Sequence, residues 1–199
     1  MFSAAILIGG QATRFAGRDK SALVVGGQTI LERQLAVLGQ VAGDVMLVGG
    51  TPRELAAAAT RHVPDLVPGR GPLGGVHAAL SAAHGEATAI LACDMPFVTA
   101  DLVAHLLSLA DPTHGPDIVV PRTERGYHPL CAVYTRACLE PVARKLARGE
   151  LTMTGVFDQM RVRVIGASEL APFGDPERLL ANVNTSTEYR AIASNGMQS

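Results

Sequence analysis

Short apolar runs alternate along this chain with stretches whose apolar residues recur every three or four positions. The runs at 4–8, 45–48, 89–92, 118–120, 131–134 and 162–165 read as buried strands. Between them lie helical patterns with clear starts. Thr29 and Glu32 make a capping box, after which Leu31, Leu35 and Leu38 fall on one face. Thr51, Pro52 and Glu54 make another, with proline at the first helical position. A third helix opens at the Gly-Pro-Leu-Gly-Gly turn beginning at Gly71 and continues to about His84. Thr99 can cap a helix over 100–109, and 136–148 carries the apolar stripe Leu139, Val142, Ala143 and Leu146. Thr185 with Glu188 opens a last helix. Strand–helix alternation predicts right-handed crossovers and a mostly parallel sheet between two helical layers. In such sheets ligands bind outside the carboxyl ends of the strands.

Composition changes this picture little. The 199 residues suffice for one good core, so a single domain over 1–199 is expected. Hydrophobic residues at 48% against 18% charged suit a sheet buried on both faces. A net charge of −1 gives no electrostatic case for a nucleic-acid or anionic-membrane partner, so any polyanion must be met locally. No apolar run approaches the roughly 20 residues of a membrane span, and no basic region precedes the first short apolar run. Cys93, Cys131 and Cys138 form no Cys-x-x-Cys pair, so reduced thiols in a cytoplasmic protein are expected.

The candidate chemistry starts where the first strand ends. "ILIGGQATRFAGRDK" places Gly9 and Gly10 directly after the run, with Arg14, Gly17 and Lys20 following. Glycines let backbone approach a ligand closely, and exposed amides after a strand can meet phosphate oxygens. Arg14 and Lys20 are placed to neutralise charge. The spacing matches neither the dinucleotide fingerprint nor a Walker loop; an ordinary strand-to-helix loop with surface cations is the plainer alternative.

Asp94 ends a later apolar strand in "CDMPF", where Pro96 stops the strand. An acid at such a place needs a partner. Mg²⁺, held by one or two carboxylates plus substrate phosphates, suits it; a simple turn cap is the alternative. Gly71, Pro72 and Leu73 open a helix whose first amides can meet a base or a phosphate. Asp65, just upstream, can accept two parallel hydrogen bonds from the N1–H and exocyclic amine of guanine, a pair that cytosine and adenine lack. In the second half, Asn182 and Asn184 alternate in "NVNT" and offer amides to a pterin-like or base-like ligand, or make the turn before the last helix. His128 in "YHPL" is an acid–base candidate or a structural histidine.

Five blocks in order, "LIGGQATRFAGRDK", "GPLGG", "CDMPF", "HPLCAVY" and "NVNT", resemble the molybdenum cofactor guanylyltransferase family, from about Ala5 to Tyr189. That resemblance implies a three-layer, Rossmann-like nucleotidyltransferase fold. It implies GMP transfer from GTP to molybdenum-loaded molybdopterin with Mg²⁺, releasing pyrophosphate. By position it implies that Leu7, Ile8, Gly9 and Gly10 line the nucleotide and that Lys20, with Arg14, meets its phosphates. Asp65 would contact guanine, Asp94 the metal, and Asn182 and Asn184 the pterin, with 1–116 the nucleotide half and 117–194 the acceptor half. Molybdoenzymes or their chaperones would be partners. Departures are Ile8 for an alanine, Ala12 for a small hydroxyl residue, Phe15-Ala16 for Met-Gly, and no asparagine around 49–51. Alternatives are a cytidylyltransferase for the same cofactor, transfer to another phosphorylated acceptor, and a non-catalytic cofactor chaperone.

Overall fold

The computed structural model describes residues 1–8, 14–15, 18–19, 23–50 and 60–183, the side chains of 14, 15, 18 and 19 excepted. Gly9, Gly10, Lys20, Asn184, the Arg14 side chain and the helix starts expected at Thr51 and Thr185 lie outside the described residues.

The elements run β1 (Ser3–Leu7), β2 (Arg14–Phe15), β3 (Arg18–Asp19), β4 (Val24–Val25), β5 (Gln28–Thr29), α1 (Ile30–Leu38), β6 (Asp44–Val48) and β7 (Arg61–Val63). Then come α2 (Gly71–Ala82), β8 (Ala87–Ala92), α3 (Ala100–Leu109), β9 (Ile118–Thr123), β10 (Gly126–Tyr127), β11 (Cys131–Thr135), α4 (Leu139–Arg148), β12 (Val162–Ile165), α5 (Ala167–Leu170) and α6 (Pro176–Leu179). All six expected strands form, with ends moved by a few residues. β7 carries only one buried apolar side chain, Val63, too little for a periodic signal.

One eight-stranded sheet has the order β10-β9-β11-β8-β1-β6-β7, with β12 also paired to β9. β8, β1, β6 and β7 are parallel. β11 runs against both β8 and β9, which makes β9 parallel to β8. Side-chain alternation then builds two cores. Ala4, Ile6 and Ile8 face the layer of α1 and α3, with Leu47 and Leu91. Ala5 and Leu7 face the layer of α2 and α4, with Met46 and Ile90.

Three details differ from the pattern reading. The Thr29–Glu32 capping box is present, but α1 buries Ile30, Gln34 and Leu38, with Leu31 and Leu35 only partly covered. The face is turned because Ile30 enters a small third core with Leu23, Val25 and Val183. α2 stops at Ala82 rather than His84, since Ala83 is extended. There Arg61 takes the Ala82 carbonyl at 3.0 Å and the Asp44 carboxylate takes the His84 amide at 3.1 Å. Finally, 136–148 begins as a 3₁₀ turn over Arg136–Cys138 before α4.

Among the described residues no helix is long and apolar enough to cross a membrane. Cys93, Cys131 and Cys138 are buried and form no disulfide among the described residues. Burial pushes Cys131 and Cys138 up to about 12, so neither supplies a thiolate at neutral pH.

Candidate active site at the carboxyl edge of the sheet

Register brings the strand ends level. Leu7 lies opposite both Val48 and Ala92, and Val48 opposite Val63. The residues just beyond therefore share one edge: Asp65 after β7, Gly49 after β6, Ile8 after β1, and Cys93–Asp94 after β8. Because β11 runs the other way, the chain entering it, His128–Leu130, joins the same edge; the Ala92 amide donates to the Leu130 carbonyl at 2.8 Å. The β9–β10 hairpin tip adds to it. β7 and β8, the strands that Asp65 and Asp94 follow, lie three strand spacings apart, about 14 Å.

The first strand ends tightly. The Ile8 amide donates to the Val48 carbonyl at 2.7 Å, and the Leu7 carbonyl accepts from the Cys93 amide at 3.3 Å. The side chains of Leu7 and Ile8 are core, so lining a ligand falls to their backbone. Gly49 has φ +76°, and a Cβ there would lie 2.4 Å from the Ile8 carbonyl and 3.4 Å from both Asp65 carboxylate oxygens. This position, where the family pattern has a nearby asparagine, admits no side chain without moving backbone. The exposed Asp65 carboxylate stands at this end of the sheet edge, and His62 Nε2 lies 2.9 Å from the Gly49 carbonyl.

α2 opens with Arg70 as N-cap and no side-chain cap, so its first-turn amides are not occupied by the helix's own cap. Gly71 and Pro72 are exposed, but Leu73 is wholly buried and can offer a ligand only its amide. The following glycines serve packing: a Cβ on Gly75 would lie 3.2 Å from Leu7 Cδ1, so its absence lets α2 press onto β1.

Asp94 is partly exposed, in a turn held from several sides. Besides the Cys93 contact, the Val183 amide donates to the Asp94 carbonyl at 2.8 Å. That bond brings Asn182, half-exposed, to the turn. The strap over 175–183 is fixed at both sides: Arg178 lies over the Phe97 ring at 5.0 Å, and Arg125 meets Glu177 at 2.9 Å. From α1, Gln34 donates to the carbonyls of Ala92 at 2.7 Å and Met95 at 3.1 Å. Sequence reading overlooked Gln34; its signal was a polar residue in the middle of an apolar helical stripe.

On the other flank, His128 is half-buried with Nε2 3.0 Å from Thr123 Oγ1. Burial, partly opposed by Glu177 and assisted by Arg125, holds its imidazole below the ordinary value, so it is neutral at pH 7. Beside it an open cavity of about 640 Å³ is lined by Tyr127, Phe157, Lys145, Glu150 and Asp158 among others. Phe157 meets the edge of Tyr127 at 5.4 Å between ring centres, and Arg122 lies over the Tyr127 ring at 5.2 Å.

The structure thus brings Asp65, the α2 start, Asp94, Asn182 and His128 to one edge. Among the described residues no three His, Cys, Asp or Glu side chains gather to hold a metal. A hard carboxylate at a strand end fits a divalent cation that takes most ligands from its substrate.

Residues 4–164 match the MobA-like NTP transferase domain. The chain belongs to this family. A molybdenum cofactor guanylyltransferase from Desulfosudis oleivorans is 34% identical, over 92% of this chain and 90% of its own. Molybdopterin-guanine dinucleotide biosynthesis protein A from Archaeoglobus fulgidus shares the fold at a TM-score of 0.84 and 22% identity, covering 99% of this chain and all of that one. A Mycobacterium tuberculosis protein crystallised with manganese shares it at a TM-score of 0.67 and 19% identity, over 97% and 98% of the two chains.

Proposed function

We propose that the chain transfers GMP from GTP to molybdenum-loaded molybdopterin, giving the guanine dinucleotide form of the cofactor and pyrophosphate. The observation that carries this reading is the level alignment of Asp65 and Asp94 along one sheet edge in a chain similar to named guanylyltransferases. Residues 1–116 take the nucleotide and 117–194 the acceptor. Guanine lies against Asp65, whose carboxylate accepts from N1–H and the exocyclic amine. The triphosphate runs past the Ile8 backbone, Gly9, Gly10 and the start of α2 toward Asp94, with Lys20 and Arg14 supplying positive charge.

Asp94 holds Mg²⁺, which when bound neutralises charge on the phosphate oxygens. An oxygen of the acceptor's terminal phosphate forms a bond to the α-phosphorus, and the bond from the α-phosphorus to the bridging oxygen of pyrophosphate breaks. That nucleophile is already ionised at neutral pH, so the site needs no general base. The neutral His128, with Asn182 and Asn184, orients the acceptor rather than moving its proton. The cavity beside Tyr127 has the volume of a small-molecule site and seats the acceptor's fused rings. Catalysis rests on positioning and charge neutralisation.

The test is pyrophosphate release from purified protein, molybdenum-loaded molybdopterin and Mg²⁺ with GTP, CTP or ATP. GTP-selective release is expected. Selective use of CTP overturns the role of Asp65, and tight GTP binding without release leaves a carrier in place of a transferase.

A further inference from the structure

α1 places a polar residue on its buried face, and the fold satisfies its amide nitrogen. Its capping box fixes its start, and Ile30 and Leu38 bury its inward face. Between them Gln34 is 2% exposed. A primary amide in an apolar layer is costly unless it is bonded. Its single Nε2 spends both hydrogens on the Asp94 turn: one on the Ala92 carbonyl, where β8 ends, and one on the Met95 carbonyl, beyond the acid. Its neighbour Arg33 donates from Nε to the Pro96 carbonyl at 3.3 Å. Two carbonyls that bracket Cys93 and Asp94 are therefore tied to one rigid atom on a capped helix. Only a group with two donors on one atom at the end of a stem of this length does this; leucine has none, and an ionised glutamate would oppose both carbonyls.

We propose that Gln34 is a positioning residue for Asp94: its two-pronged amide fixes the turn so that the carboxylate presents one orientation to the metal-bearing triphosphate. The proposal rests on the reading of Asp94 given above. A displacement of about 1 Å at a reacting centre can cost about 100-fold in rate, so a clamp on this turn acts on turnover as well as on stability.

Gln34→Met keeps the volume and removes both donors. Leu107→Ala, in the last turn of α3 at the opposite edge, is the control for plain destabilisation. Two measurements stand apart from turnover. Hydrogen exchange of the peptide spanning 93–97 reports the turn, and Mn²⁺ titration of the protein–GTP complex, followed by electron paramagnetic resonance, reports the carboxylate. In Gln34→Met the peptide is expected to exchange faster and Mn²⁺ affinity to fall about tenfold, with kcat down about 10- to 100-fold. Leu107→Ala should lose stability with Mn²⁺ affinity kept. Should Gln34→Met not fold, Arg33→Met removes the adjacent contact and should show the same changes at about two- to threefold. Unchanged exchange, unchanged Mn²⁺ affinity, or an equal shift in Leu107→Ala overturns the proposal. A wild-type protein that binds no Mn²⁺ with GTP overturns the reading of Asp94 instead, and the exchange difference tells the two failures apart.

Discussion

Asp44 opens β6 and Asp94 follows β8, so these two acids stand at opposite edges of the same sheet. At Asp44 the protein's donors converge on the carboxylate itself. Ser3 Oγ donates at 2.7 Å, Arg61 at 2.7 and 2.9 Å, and the His84 amide at 3.1 Å. Ser3 Oγ in turn accepts from the Gly85 amide at 2.8 Å. Burial works against ionisation there, but these bonds outweigh it and hold the carboxyl below its ordinary value. At Asp94 the donors converge on the backbone around the acid: Gln34 on Ala92 and Met95, Arg33 on Pro96, Val183 on the Asp94 carbonyl. The first arrangement uses a charge to close the amino edge. The second fixes the turn that carries a charge. The bonds to the Asp44 carboxylate close a strand edge, and the bonds to the backbone around Asp94 fix a turn.

The sharpest break of this contrast is Asp94→Asn. Pyrophosphate release should fall about 100- to 1,000-fold, far more than any accompanying shift in the urea midpoint accounts for. Asp44→Asn should do the reverse. It replaces a charged hub of several hydrogen bonds and should cost about 2 kcal/mol in urea unfolding, with KM for GTP unchanged.

Acid sharpens the same point. Asp44 is held below its unfolded-state value near 4, as is Asp117, whose carboxylate the Arg161 side chain and amide grip at 2.7–3.1 Å. Their stabilisation is complete above about pH 4 and is lost as pH falls through the lowered folded values. The wild type should lose stability steeply below about pH 4, and Asp44→Asn less so, as read from urea midpoints against pH.

Gly49→Ala tests the crevice wall. The new Cβ meets the Ile8 carbonyl at a positive φ, so about 1–3 kcal/mol of stability should go, and KM for GTP should rise more than in Asp44→Asn. The smallest effect belongs to His128→Asn. Losing one neutral hydrogen bond in the acceptor flank should raise acceptor KM about fivefold, with GTP KM unmoved and no new pH dependence between 6 and 8. A steep pH response there would restore an acid–base role to His128.

Much of this was legible along the chain. The six main strands, the Thr29 and Thr99 caps and the placement of Asp94 at a strand end follow from local pattern, because periodicity and capping are written in neighbouring residues. Gln34 was not legible, since a polar residue in an apolar stripe looks like noise until its partners appear 58 and 61 positions away. Nor was the work of Gly75, which reads as part of a ligand-binding turn and proves to be clearance for Leu7.

By itself the sequence determined an α/β sheet and the acids at later strand ends, since each is a statement about a few adjacent residues. Only the tertiary structure decided which ends are level, which edge each acid occupies and which side chains hold the Asp94 turn. Register and packing join residues far apart in the chain, and no local pattern encodes the distance between them.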